Sequence, residues 1–175
     1  MDVMFVNKIP FLTSFSEGLK FGTATFLENN KTSALLKAIK AINNQYRSRG
    51  FHLNLLLTDG QFAPLKSEML GLGITLNPYS LEEHVPQIER HHRTIKERVR
   101  GVWNTLPFGG LNVQGHPMKL PGVLVIELVQ FCQFWLNYLP PSPGMSKHVS
   151  PRELLTGVRL DLRIHAQLEF GEYVQ

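Results

Sequence analysis

The sequence predicts an α/β domain, a mixed five-stranded sheet flanked by helices, with further helices toward the C-terminus. Three observations predict it. Residues 3–27 hold three apolar or β-branched runs separated by short polar turns, the pattern of an antiparallel meander. From residue 32 the apolar spacing changes from about two to about 3.6, the mark of a helix against a sheet. An apolar run then returns and stops at Asp59-Gly60, before a second long helical pattern. With 175 residues, 43% hydrophobic and 18% charged, the chain has the size of one domain and the composition to bury a core.

The elements follow in order. Val3–Val6, Pro10–Phe15 and Leu19–Leu27 read as strands, turning at Asn7-Lys8 and Ser16-Glu17-Gly18. Leu35, Leu36, Ile39, Ile42 and Tyr46 share one face of a helix over 32–48, and Gly50 suits its C-terminal end. Phe51–Thr58 reads as a strand buried on both faces, and its terminal Asp59 falls at the carboxyl edge of the sheet, where open α/β sheets build sites. A short helix over Ala63–Leu72 and a short strand over Gly73–Leu76 come next. From about Ser80 to Asn104 the helical period resumes, with Ser80 and Glu83 as a capping box and Pro86 tolerable only in a first turn. Ile88, His92, Ile95, Val99 and Val102 form its apolar stripe; Glu89, Arg93, Lys96 and Arg100 form a polar stripe beside it. After a Gly/Pro-rich connection over Leu106–Gly122, an apolar helix spans Val123–Leu139, and Ser150-Pro151-Arg152-Glu153 starts a short helix that Gly157 ends.

Composition excludes several functions. Lys+Arg 18 against Asp+Glu 14 gives a net charge of +4, which permits a nucleic-acid partner. The Val123–Leu139 helix carries Glu127, Gln130, Gln133 and Asn137 along one side and is short for a bilayer, so no membrane partner is expected. One cysteine, Cys132, excludes an internal disulfide and an all-cysteine zinc site, and with no secretion signal the expected compartment is intracellular. Gly71-Leu72-Gly73 lacks the remaining residues of a phosphate loop, and there is no Gly-x-Ser-x-Gly elbow. His84 with His91-His92 does not make a zinc set, because adjacent helical residues point about 100° apart. Trp103, Trp135 and Cys132 read as core residues.

Two-metal phosphoryl transfer needs carboxylates on rigid elements, because Mg²⁺ prefers hard oxygen ligands. Three acids stand in suggestive places: Asp2 on the first strand, Asp59 at the end of the fourth and Glu89 on the second long helix. A strand with Asp opening a meander, then a helix, a strand ending in Asp, and a helix with Glu is the ribonuclease H-like order.

The motifs carry this further. Thr58-Asp59-Gly60-Gln61-Phe62 resembles the Thr-Asp-Asn-Gly-x-x-Phe block of the integrase catalytic core of copia-type retrotransposon polyproteins, relatives of retroviral integrases. Ile88-Glu89-Arg90-His91-His92-Arg93-Thr94 is similar to that family's Ala-Glu-Arg-x-x-Arg-Thr helix. Phe134–Asn137, Ser150–Gly157 and Leu168–Tyr173 resemble the segments that follow it. The resemblance spans nearly the whole chain, in order.

The resemblance implies a DDE-type polynucleotidyl transferase, with Asp2, Asp59 and Glu89 as catalytic and metal-binding residues and two Mg²⁺ or Mn²⁺ ions as cofactors. Arg93 and Lys96, with Arg90 and Arg100 beside them, would bind DNA, the partners being double-stranded element ends and target DNA, with self-association as a homo-oligomer. It implies a core over 1–116 with a C-terminal helical extension over 117–175, and a nuclear or virus-like-particle location for a full element. Asp59 and Glu89 are separated by 89 − 59 − 1 = 29 residues, fewer than is usual in the family, and Glu97 is a rival by count. With Asp2 so near the start and no His/Cys zinc module upstream, the chain reads as a fragment. Two alternatives stay open: a catalytically silent domain that only binds nucleic acid or a partner, and another ribonuclease H-like nuclease acting on RNA/DNA hybrids.

Overall fold

In the computed structural model, which describes residues 1–78, 86–106, 120–140, 146–167 and 170–172, the chain opens with an antiparallel meander. Its strands are β1 (Asp2–Val6), β2 (Ile9–Phe15) and β3 (Gly22–Phe26). Asp2 lies opposite Thr13, and Phe11 opposite Phe26. The first hairpin turns on Asn7 and Lys8, both at positive φ, a two-residue geometry whose twist matches that of the strands. The third strand starts later than the sequence suggests because Leu19 and Lys20 are used by the turn, where the Lys20 N–H donates to Ser16 O at 2.8 Å.

Helix α1 (Thr32–Arg47) follows, burying Leu35, Ile39, Ile42 and Tyr46 as its periodicity predicts, with Ala38 in addition and Leu36 half-buried. Strand β4 (Leu55–Thr58) pairs in parallel with β5 (Thr75–Pro78) through a 3-10 turn (Gly60–Leu65) and helix α2 (Lys66–Gly71). Here the structure corrects the sequence reading. The strand predicted over Phe51–Thr58 is four residues long, and Leu55 is 53% exposed rather than covered on both faces.

The five expected strands are present, but as a sheet of three and a sheet of two instead of one sheet. Pairing of β1 with β2 ends at Asp2 and Thr13, and toward β4 it is the Met1 ammonium that reaches across, donating to Leu57 O at 2.7 Å.

Helix α3 (Pro86–Thr105) buries Ile88, His91, Ile95 and Val99, so His91 occupies the deepest position where periodicity placed His92. The expected capping box at Ser80 and Glu83, and His84, lie outside the described residues. Helix α4 spans Gly122–Tyr138. Helix α5 (Pro151–Thr156) starts as predicted, with the Ser150 hydroxyl accepting from the Glu153 N–H at 3.1 Å, and Gly157 ends it in the left-handed region. A single turn, α6 (Leu162–His165), comes last. Among the described residues no helix is long and apolar enough to cross a membrane.

The meander has a core on each face. On one, Leu12, Phe21 and Leu27 pack with α1 and with Phe62, Leu65 and Met69 of the turn and α2. On the other, Met4 and Phe11 pack with Ile95 and Val99 of α3 and with Leu128, Val129 and Cys132 of α4. Helix α4 is therefore part of the main core. Fully buried side chains such as Phe11 typically cost about 3–5 kcal/mol when cut to alanine, so the strands that carry the site are firmly held from both sides.

Candidate active site

Asp2 opens β1. Its Oδ1 accepts from the Val3 N–H at 2.6 Å, which leaves Oδ2 free to face α3. Asp59 sits just beyond β4, where its carboxylate caps the 3-10 turn by accepting from the Gln61 N–H at 3.3 Å. Although exposed as a residue, Asp59 has its pKa raised, first by partial desolvation and then by the charge of Asp2, against the opposing pull of the Gln61 hydrogen bonds and the Met1 ammonium. The two acids predicted to work together thus lie close enough to repel each other, and the Met1 ammonium offsets part of that repulsion. Immediately before Asp59, the buried Thr58 hydroxyl has no hydrogen-bond partner.

Glu89 is exposed in the first turn of α3, and its charge reaches His92. Glu97 is exposed two turns further on, about 12 Å along the axis, and its charge is not among those that act on His92. Arg90, Arg93 and Arg100 are exposed and Lys96 is half-buried, so the polar stripe read from the sequence is an accessible basic face running from Glu89.

Among the described residues, no three His, Cys, Asp or Glu side chains converge to hold a metal ion as they stand. Asp2 and Asp59 are the oxygen donors of the kind a divalent ion takes, and the Met1 ammonium is the positive group that acts on both.

Two features escaped the sequence reading. The first is His92, which lies against the strands. Its Nε2 is 2.5 Å from Thr13 Oγ1 and its Nδ1 is 3.8 Å from Asp2 Oδ2. Burial lowers its pKa most; the charges of Asp2 and Glu89 raise it, and those of Lys96 and the Met1 ammonium lower it. The signal was the Glu-x-x-His spacing from Glu89, which puts both on one helical face.

The second is a buried polar chain. His91 Nε2 meets Gln133 Oε1 at 2.9 Å, Gln133 Nε2 donates to Asn137 Oδ1 at 3.3 Å, and Asn137 bonds both the N–H and the C=O of Gly22, at 2.9 and 2.8 Å. Gln133 and Asn137 were read as lying along one side of α4 with Glu127 and Gln130; the latter two are exposed and the former two are buried. Cys132 is buried as expected, its thiol pKa pushed up to about 11 by desolvation.

Neither a protein-family model nor a curated protein sequence matches the chain. Its fold does have a match among solved structures, the catalytic core domain of BIV integrase, with a TM-score of 0.61 over 89% of this chain and 90% of that one. Sequence identity is 18%, so the likeness is one of fold. The mixed α/β architecture resembles that of an integrase catalytic core.

Proposed function

We propose that this chain is an integrase-type catalytic core that performs metal-dependent polynucleotidyl transfer on DNA, namely 3′-end processing and strand transfer, and that it belongs with the cores of copia-type retrotransposons. The observation that carries the reading is the placement of Asp2 at the start of β1 and Asp59 just beyond β4, near enough for the charge of Asp2 to act on Asp59, within a fold like that of an integrase core. On this reading residues 1–116 are the catalytic core and 117–175 its helical extension, working in the nucleus or a virus-like particle on the DNA of a full element.

Asp2 and Asp59 hold the divalent ions, with Glu89 presented to them from α3. Bound Mg²⁺ or Mn²⁺ supplies Lewis-acid stabilisation to the attacking and leaving oxygens of an in-line displacement. Arg93 and Lys96, flanked by Arg90 and Arg100, hold phosphates along the same helix, so they fix the position of DNA without reading its sequence. A DNA 3′-hydroxyl or a water attacks phosphorus, and the opposite P–O bond breaks.

The test is Asp59→Asn in a strand-transfer and nicking assay with Mg²⁺. Loss of the reaction with DNA binding kept is the expected outcome, and retained cleavage overturns the reading. A second reading, a silent domain that only binds nucleic acid, draws on the lack of three convergent ligands among the described residues. Calorimetric titration with Mn²⁺ separates the two: the silent domain shows no site that disappears in Asp59→Asn.

A further inference from the structure

Helix α1 carries a polar stripe on the side away from its core. Ser33, Lys37, Lys40, Asn44 and Arg47 step by four, three, four and three residues, so they lie along one line of the helix. Leu35, Ile39, Ile42 and Tyr46 repeat that spacing and are buried; two residues turn a helix by about 200°, so the stripe points outward. All five of its members are exposed, as are Lys31 just before the helix and Arg49 just after it. No Asp or Glu occurs from residue 29 to residue 58. Two exposed carboxylates come near: Glu28, which shares a shallow groove with Lys37, and Glu68, which accepts from the Ser67 hydroxyl at 2.8 Å and feels the charge of Lys40. Among the described residues, none of Lys31, Lys37, Lys40, Arg47 and Arg49 is within ion-pair distance of a carboxylate.

The residue types decide what such a face holds. Ammonium, guanidinium, hydroxyl and amide groups are those that contact the phosphates and sugars of a duplex. From Ser33 to Arg47 they cover about 21 Å of helix axis, the length over which one DNA strand presents about six phosphates. A second copy of the chain would bring like charges together. A protein partner needs an apolar anchor at the centre of its contact, where lysine is depleted, and the stripe offers none. Helix α1 packs on one face of the meander and α3 on the other, so this stripe and the basic face of α3 look in opposite directions. A domain of 175 residues has a radius of gyration of about 16 Å, whereas DNA stays stiff over about 500 Å, so bending one duplex round from face to face is costly.

We propose that the outward stripe of α1 holds the phosphate backbone of a second DNA duplex, apart from the one placed along α3. The inference rests on the DNA reading above and adds a contact surface that the acids and α3 do not supply. Lys37, Lys40 and Arg47 provide the charge, with Ser33 and Asn44 hydrogen-bonding between them. Contact through phosphates alone carries no sequence information, so the face accepts any duplex and its hold weakens with salt.

The test is a sandwich assay with the 175-residue protein. A short duplex tethered to beads recruits the protein, and a labelled second duplex of unrelated sequence is then added. The unaltered protein is expected to capture it, with log affinity for the second duplex falling against log salt at a slope of about −3, for three charged contacts. The triple variant Lys37→Gln, Lys40→Gln, Arg47→Gln puts good helix formers at exposed positions, so the fold is kept. It should bind the tethered duplex within about twofold of the unaltered protein, because α3 is distant and untouched. Its capture of the second duplex should fall about tenfold or more. Bridging by paired copies that use α3 alone would survive in this variant. Capture unchanged in the triple variant, or no capture by unaltered protein that holds the tethered duplex, overturns the inference and leaves the DNA reading standing; no binding of the tethered duplex overturns both.

Discussion

Two neighbouring histidines show how far a residue's role depends on what lies opposite it. In the sequence His91 and His92 are a bland pair, and periodicity put His92 on the buried stripe. In the structure His91 is the deeper, against Phe15 and Gln133, while His92 turns to Thr13 and Asp2. No local pattern carries that difference, because both partners lie far away in the chain. The position of Asp59 after a strand was legible because a strand end is a local feature; Thr13, which bonds His92, was one threonine among several. Burial pushes the His91 pKa down to about 4 from an ordinary 6.5. The unfolded chain therefore takes up a proton at this residue below about pH 6.5, and the folded one only near pH 4. Stability is present at neutral pH and is lost as pH falls across that window, by a few kcal/mol in total, on the order of 3. Urea unfolding at stepped pH is the measurement, and His91→Leu should flatten this part of the slope.

At the scale of elements, α4 holds the chief surprise. The spacing of Glu127, Gln130, Gln133 and Asn137 was read correctly as one side of a helix, yet the C-terminal half of that side faces β3 rather than water. An amide pair can cap a strand's open backbone groups, and Asn137 does so at Gly22, which only the tertiary arrangement reveals. A Cβ placed on Gly22 would stand 2.4 Å from His91 Nε2 and 2.7 Å from Gln133 Nε2. Gly22→Ala should destabilise by about 1–3 kcal/mol, the usual range for overpacking. His91→Ala in the same chain should recover part of the loss, and a double-mutant cycle in urea reads the coupling. The split sheet has a similar origin. Each strand was legible from its own residues, but whether β1 and β4 form a ladder depends on how many residues of each face the other.

For the whole molecule, the order of elements was visible in the sequence because each change of period is local, and the fold match bears out the integrase-core arrangement. The basic face of α3 was also legible, since a helical stripe of charges needs no tertiary information. If that face holds DNA, binding follows ion release. Arg93→Ala should weaken duplex binding about equally for all sequences, and the slope of log affinity against log salt should fall by about 1. Fluorescence anisotropy over a salt series checks this, and an unchanged slope removes Arg93 from the contact. The position of that face depends on α3 being held in one orientation. His91 is fastened toward α4 and His92 toward the first two strands, at bearings about 100° apart around a single axis. A cylinder pinned along two such directions can neither roll nor slide by a residue without breaking one of them. The acid at its first turn and the cations behind it thereby keep fixed bearings, which under the proposed function aims them before any DNA arrives.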